Sequence, residues 1–157
     1  MMQRDHELTT QLKSLQSVYD VNNPEAFYQQ VRQLVNTRQQ LDLLSFWEGL
    51  EWYNVGLPNP KEVSIQFGTM GQGPLQNWDV LMFTMDHHRA KTVHLASHPH
   101  CASSVPGAPI VISSDLLYVG GLERDYDKYK VLMAVLKYRP DTVEEEQYPH
   151  LFTFYWD

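Results

Sequence analysis

The sequence has little of three things that would narrow its function at once: cysteine, long apolar runs and positive charge. A single cysteine excludes an intrachain disulfide and a structural zinc site that needs a second cysteine. No apolar run reaches the roughly 20 residues needed to span a bilayer. The 12 Lys and Arg stand against 19 Asp and Glu, and the resulting net charge of −7 disfavours a broad nucleic-acid surface.

The first residues carry charge and no apolar core, which is not the pattern of a secretory signal peptide. Together with the lone cysteine, this makes the cytoplasm the expected location. Neither a membrane nor a nucleic acid is expected as a partner. The 157 residues, of which 43% are apolar, are expected to fold as a single domain over residues 1–157.

Two helical patterns open the chain. Apolar residues recur at helical spacing over residues 8–19, and again over residues 24–41 after an Asn-Asn-Pro-Glu turn. Pro24 suits the first position of a helix, so this turn is expected to end one helix and to begin the next. The two segments predict a helical hairpin, whose apolar stripes also leave homo-oligomerisation open.

A third, shorter helix is expected over residues 45–52. Ser45 and Glu48 have the spacing of a capping box, in which the Ser45 side chain would cap the first turn. Residues 56–60, Gly-Leu-Pro-Asn-Pro, then end helical structure. The helical part of the fold is therefore expected to occupy about residues 2–56.

The apolar pattern then changes from helical to alternating, which predicts a sheet within about residues 61–157. Strands are expected at residues 63–67, 78–85, 92–96, 110–112, 116–119 and 151–156. Residues 78–85 are almost entirely apolar, so both of their faces would be covered, which is typical of a central strand. We expect residues 92–96 to pair with them across a polar turn.

One more helix is expected at residues 124–138, and the acidic residues 141–149 are expected to form a loop. The core-facing stripe of this helix is predicted to be Tyr129, Leu132, Met133 and Leu136. The order of elements predicts an α+β fold. In it, the N-terminal hairpin and the third helix pack on a mainly antiparallel sheet, followed by the later helix and a C-terminal strand.

Residues 86–101 hold five of the seven histidines and the only cysteine. If residues 94–100 are extended, His94, His98 and His100 share one face, because side chains alternate along a strand. Three imidazoles suit Zn²⁺ or a similar divalent ion, and Asp86 or His88 could then act on a metal-bound water. A small metal-dependent enzyme of the hydrolase type is therefore the alternative function.

Ordinary roles account for the same residues. The segment has no His-Glu-x-x-His pattern, and Pro99 would interrupt a strand ladder. We interpret these histidines as polar loop residues, and Cys101 as a buried small apolar residue rather than a nucleophile. Under this interpretation no cofactor is expected, and a metal such as zinc is expected only under the enzymatic alternative.

Large aromatic residues are concentrated near the third helix and at the end of the chain, and the candidates for partner contact are Trp47, Trp52, Tyr53 and Trp156. Trp and Tyr are enriched in protein interfaces, although the same residues could pack the third helix on the terminal strand. Because no catalytic motif is evident, the sequence favours a small acidic protein-binding module over an enzyme. An adaptor, an inhibitor or an immunity-type factor would act through such an aromatic and acidic surface.

Overall fold

The computed structural model describes residues 4–20, 22–51, 63–68, 75, 78–96, 98–101, 110–147 and 151–156. Its α-helices are α1 His6–Ser14, α2 Glu25–Asn36, α3 Leu43–Gly49, α4 Trp78–His87 and α5 Asp125–Leu136, with a 3₁₀ turn at Leu15–Ser17. Its strands are β1 Leu41–Asp42, β2 Val63–Phe67, β3 Thr92–Ala96, β4 His100–Cys101, β5 Ile110–Ser114, β6 Leu116–Gly120, β7 Thr142–Glu146 and β8 Leu151–Tyr155. The fold is α+β, as predicted.

The strands form two sheets rather than one. The larger sheet has the order β1-β3-β6-β8-β7, and every pair in it is antiparallel. The smaller sheet has the order β2-β5-β4, in which β2 and β5 are parallel and β4 is antiparallel to β5. The chain passes from one sheet to the other at Asp115, the single residue between β5 and β6.

The helices pack in a row, α1 against α3, α3 against α4, and α4 against α5. Helix α3 also lies on β3 of the larger sheet, whereas α2 covers β4 and β5 of the smaller one. The largest fully buried side chains include Phe27, Phe46, Trp78 and Phe154, so the core joins both sheets to the helices. The indole N–H of Trp78 donates to the Val63 carbonyl at 2.9 Å, which ties α4 to β2.

Asp42, and not Ser45, caps α3. Its Oδ1 accepts the backbone N–H of Ser45 at 3.2 Å, and its Oδ2 accepts the Ser45 hydroxyl at 2.6 Å. The same Oδ2 accepts the backbone N–H of Asp5 at 2.8 Å, so Asp42 also ties the start of α1 to that of α3. The predicted cap at Ser45 is wrong because an aspartate three residues earlier already satisfies its N–H.

Close contact between α1 and α3 depends on Gly49. A Cβ atom at this position would lie 2.8 Å from the Cβ of Leu12. Such a distance is far inside van der Waals contact, so any larger residue would push the two helices apart. Leu12 itself is buried, and the two helices contact each other on this side.

The predicted central strand at residues 78–85 is wrong, because this segment is helix α4. Trp78, Leu81, Met82 and Met85 are buried at helical spacing. Their neighbours on the other side of the helix, Val80 and Phe83, are exposed although they are apolar. Apolar residues on both faces therefore gave a strand-like pattern. Strand β3 pairs with β1 and β6 instead of with this segment.

Residues 142–146 form strand β7 and not the predicted acidic loop. All five residues are exposed, and β7 is an outer strand of the larger sheet, which among the described strands pairs with β8 alone. Charged side chains on an outer strand discourage pairing with another chain, which explains three consecutive glutamates at residues 144–146. The second helix is also shorter than predicted, since α2 ends at Asn36 and Leu41 belongs to β1.

None of the described helices combines the length and the hydropathy that a membrane crossing would need.

Candidate functional site

The histidines of residues 86–101 lie in several different elements. His94 is buried in β3 of the larger sheet, where its Nδ1 lies 3.1 Å from Oε1 of Gln40. His100 is exposed in β4 of the smaller sheet. His98 lies between the two sheets with a φ of 58°, and its backbone N–H donates to the Gln39 carbonyl at 3.0 Å. Of the three predicted metal ligands, His94 and His100 thus belong to different sheets, and His98 belongs to neither.

The assumption of one extended run over residues 94–100 is wrong, because β3 ends at Ala96 and His98 adopts a left-handed conformation. Side chains alternate regularly only while the chain stays extended. Within the described ranges, no group of three or more His, Cys, Asp or Glu side chains is placed to hold a metal ion.

His88 is paired with a carboxylate, although not with Asp86 as the enzymatic alternative assumed. Its Nδ1 lies 3.0 Å from Oδ1 of Asp127, whereas Asp86 is exposed on α4. Because an ionised carboxylate can only accept, Nδ1 must carry the hydrogen. Among the described hydroxyl and thiol groups, none is hydrogen bonded to the other ring nitrogen of His88. The pair therefore has an oriented imidazole, but the part of the chain that the structure describes places no hydroxyl or thiol nucleophile in a hydrogen bond with it.

Asp127 is the centre of a polar cluster that we call the His88–Asp127–Arg124 cluster. Its side chain is only 2% exposed, and it accepts hydrogen bonds from Arg124 Nε at 2.6 Å and Nη2 at 3.1 Å. These bonds, and then the bond from His88, hold the pKa of the Asp127 carboxyl below its usual value, whereas desolvation opposes the shift. The cluster joins the C-terminal end of α4 to the first turn of α5.

A cavity of about 240 Å³ lies beside this cluster, and its lining residues are Arg89, Lys91, Gly121, Glu123, Arg124 and Asp127. Gly121 has a φ of 79°, and a Cβ atom there would lie 2.5 Å from the Cβ of Lys91. Only glycine therefore fits at this position in the wall of the cavity. Lys91 Nζ lies 3.0 Å from Glu123 Oε1 at the exposed rim. Three cationic and two acidic side chains therefore meet here.

Arg89 is the cation of this cavity that the fold does not use. It follows α4 with a φ of 63°, and its backbone N–H donates to the Asp86 carbonyl at 3.0 Å, which ends the helix. Its exposed side chain forms neither an ion pair nor a hydrogen bond with any described residue. The guanidinium is therefore available to a ligand.

An apolar stripe begins next to the cavity and runs along α5. We call it the apolar face of α5, and it consists of Tyr126, Tyr129, Met133 and Leu136. Tyr126 and Tyr129 are 61% and 57% exposed. The ring of Tyr126 contacts that of His88, with centroids 5.8 Å apart, and Lys130 Nζ lies 5.5 Å from the Tyr126 centroid. The stripe therefore starts at the cluster.

The prediction that Tyr129, Met133 and Leu136 face the core is wrong. The buried residues of α5 are Asp127, Val131 and Val135, on the opposite side of the helix. Both sides of α5 carry apolar residues, so the hydrophobic pattern by itself does not determine which side is covered. The presence of two apolar stripes on one helix was the available signal for an exposed surface.

Two of the four predicted partner-contact aromatics are buried. Trp47 is 4% exposed and packs edge-on against Phe83 with centroids 4.9 Å apart, and Trp156 is 5% exposed. The Trp156 ring stacks on Phe67 at 4.3 Å, and its indole N–H donates to the Tyr138 carbonyl at 2.8 Å. These two side chains therefore pack within the fold. Trp52 and Tyr53 lie outside the described residues.

Cys101 is buried, as predicted. Its backbone N–H donates to Asn36 Oδ1 at 2.8 Å, and Asn36 Nδ2 donates to its carbonyl at 3.2 Å, so α2 holds this residue in place. Burial raises the pKa of the thiol to about 11, although the nearby Arg32 guanidinium opposes the shift. A thiol in such a setting is a poor nucleophile.

No protein-family model matches this chain, and neither a curated protein nor a solved structure matches it. The assignment of a function therefore rests on the geometry of the described residues.

Proposed function

We propose that this protein is a binding module that acts in the cytoplasm and holds an amphipathic helical segment of a partner protein on the apolar face of α5. An adaptor, an inhibitor or an immunity-type factor would work in this way. The observation that carries the proposal is the exposure of Tyr126, Tyr129, Met133 and Leu136 along one side of a single helix.

Isolated exposed apolar residues are common, but a contiguous stripe is not. Fully burying one such side chain stabilises a complex by about 1.5–3 kcal/mol relative to its exposure. The four residues follow each other at intervals of three or four positions, so they form one ridge. Helix α4, which packs against α5, also exposes two apolar side chains, Val80 and Phe83.

The shape and charge of this face favour a helical, acidic segment as the occupant. From Tyr126 to Leu136 the stripe is about 15 Å long, which matches roughly three turns of a partner helix packed ridge into groove. Every charged residue from position 128 to position 139 is basic, and Lys130, Lys137 and Arg139 are exposed beside the stripe. Acidic residues flanking the partner's apolar side would complement them.

Affinity capture with a matched pair of variants tests the proposal. Tyr129→Ser combined with Met133→Ser removes the centre of the apolar face. Tyr155→Ser combined with Val143→Ser removes two exposed apolar residues of the larger sheet and serves as the control. A partner retained by the unmodified protein and by the control, but bound about thirtyfold more weakly by the first variant, is expected.

Equal retention by the two variants would contradict the proposal, since the apolar face of α5 would then have no special part in binding. Analytical sedimentation of the purified protein tests whether the apolar face of α5 binds a second copy of the chain, which would also contradict the proposal. If the protein forms a dimer that the Tyr129→Ser/Met133→Ser variant cannot form, the face binds a second copy of this chain and not another protein.

The metal-dependent enzyme remains a prediction from the sequence with its own test. Elemental analysis of the untagged protein would support it if about one zinc ion per chain were found and were lost in a His98→Ala/His100→Ala variant.

A further inference from the structure

We infer that the cavity beside the His88–Asp127–Arg124 cluster anchors one carboxylate side chain of the partner segment, an Asp or a Glu at the end that lies over the start of α5. This inference rests on the proposed function, because it adds a binding site for a charged side chain next to the apolar face of α5. It specifies the partner by chemistry: an apolar helical stripe with an acidic residue at one end.

The size of the cavity suits a side chain. Its volume of about 240 Å³ lies below the range of about 300–1,000 Å³ that is typical of sites for drug-sized ligands and cofactors. Its position suits the end of a docked helix, because its lining residues lie before α5 or, in the case of Asp127, in the first turn of α5, where the apolar face begins at Tyr126.

The positive charge around the cavity exceeds the negative charge by one, so the cavity can accept one anionic group. The carboxylate of Asp127 is already compensated by the two hydrogen bonds from Arg124 and by the bond from His88. Arg89 has no side-chain partner among the described residues, and its guanidinium can hold a carboxylate through two parallel hydrogen bonds.

Lys91 supplies a second donor. Its ion pair with Glu123 is exposed on both sides, and such pairs contribute about 0–1 kcal/mol because water and salt screen them. The ammonium group can therefore exchange Glu123 for a carboxylate of the partner at little cost. The first turn of α5 adds the positive end of its helix dipole.

Selection from a displayed library of random 16-residue helical peptides tests the inference on the full-length protein. The expected binders carry apolar residues at helical spacing and are enriched in Asp or Glu at one end. A selected peptide is then measured by fluorescence anisotropy against its Glu→Gln (or Asp→Asn) form. We expect about tenfold weaker binding of the neutral peptide to the unmodified protein.

Arg89→Gln combined with Lys91→Gln should reduce this difference to less than about twofold, as expected when the coupled charges have been removed. Lys13→Glu changes the net charge by the same two units at an exposed position of α1 and should keep the tenfold difference. Thermal unfolding of both the double variant and the Lys13→Glu control checks that they fold. Raising the salt concentration should weaken the coupling.

The outcomes separate the two proposals. Apolar binders without an acidic preference, or a tenfold difference that survives Arg89→Gln/Lys91→Gln, overturn the anchor and leave the binding module standing. An equal loss in the Lys13→Glu control also overturns the anchor, since overall charge would then explain it. Binders that ignore the Tyr129→Ser/Met133→Ser change overturn the proposed function itself.

Discussion

Helices α2 and α5 are both 12 residues long, yet they are used differently. Helix α2 buries Phe27, Tyr28, Val31 and Val35, and the residues it exposes are one alanine, three glutamines and one asparagine. Helix α5 buries only two valines and one aspartate, and it exposes two tyrosines, a methionine and a leucine. The large apolar side chains of α2 pack in the fold, whereas α5 has an additional apolar face that remains exposed.

The buried charged residues of α2 and α5 also differ, in whether their partners lie in the same helix or in another element. Arg32 in α2 is paired with Glu25 of the same helix, at 2.9 Å from its Oε1. Asp127 in α5 is bonded to Arg124, just before its own helix, and also to His88 beyond the end of α4. The polar pair of α2 therefore stays within one helix, whereas that of α5 fixes how two helices meet. This junction is where the apolar face and the cavity adjoin.

The largest effect is expected for Phe27→Ala in α2. The ring is buried and makes edge contacts with Tyr19 and Tyr28 at centroid distances of 5.3 and 6.1 Å. Its removal leaves a cavity and should lower the free energy of unfolding by about 3–5 kcal/mol, measured by urea denaturation. A loss below about 1 kcal/mol would contradict the burial of Phe27 between α2 and the core.

The next effect concerns the thiol that α2 covers. With a pKa raised to about 11 and no exposed surface, Cys101 should react with a thiol reagent at pH 8 at least about a hundredfold more slowly in the native protein than in urea. Release of the coloured thiolate of an aromatic disulfide reagent measures the two rates. Asn36→Ala, which removes the two bonds to the Cys101 backbone, should accelerate the native reaction. Rapid native labelling of the unmodified protein would contradict the contact with α2.

A smaller, pH-dependent effect is expected for Asp127→Asn in α5. Because the folded pKa of Asp127 is depressed, its charge stabilises the fold above the unfolded value of about 3.9, and this contribution is lost as the pH falls through the folded pKa. The variant should therefore be less stable than the unmodified protein from pH 5 to 7, and the gap should narrow below about pH 4.

Urea unfolding across this pH range measures the gap. Asp86→Asn, an exposed charge removal on α4, is the control and should change stability by no more than about 0.5 kcal/mol. A gap for Asp127→Asn that widens on acidification would contradict the polar cluster.

The smallest effect on stability is expected for Tyr129→Ser and Met133→Ser. Each should change the free energy of unfolding by no more than about 0.5 kcal/mol, because neither side chain is buried in the fold. Urea denaturation, used in the same way as for Phe27→Ala, measures both variants. A loss above about 1 kcal/mol for either variant would show that the fold uses the apolar face of α5, which would remove the contrast between the two helices.

The sequence predicted well the elements whose pattern is one-sided. The strand at Val63–Phe67 was placed correctly from its alternating pattern, and the single apolar stripe of α2 located that helix, although its predicted end was five residues too far along the chain. Prediction failed where both sides are apolar. The apolar pattern of residues 78–85 predicts a strand where a helix forms, and the pattern of α5 predicts burial of the stripe that is exposed, because a pattern with apolar residues on both sides does not indicate its orientation.

The candidate site was predicted only in part. His88 was chosen because histidines cluster in residues 86–101, but its partner Asp127 lies 39 residues further along the chain. No local spacing connects these two residues. The three histidines expected to hold a metal share a stretch of sequence but not a sheet, because the chain turns at His98.

The sequence by itself determined the α+β class, the acidic character and the position of most strands and helices, because composition and one-sided periodicity are local properties. Only the tertiary structure decided which apolar side of α4 and of α5 is covered, and which carboxylate meets His88. Those outcomes depend on long-range packing: each helix buries the side that fits the space left by its neighbours, and the other side remains exposed to solvent.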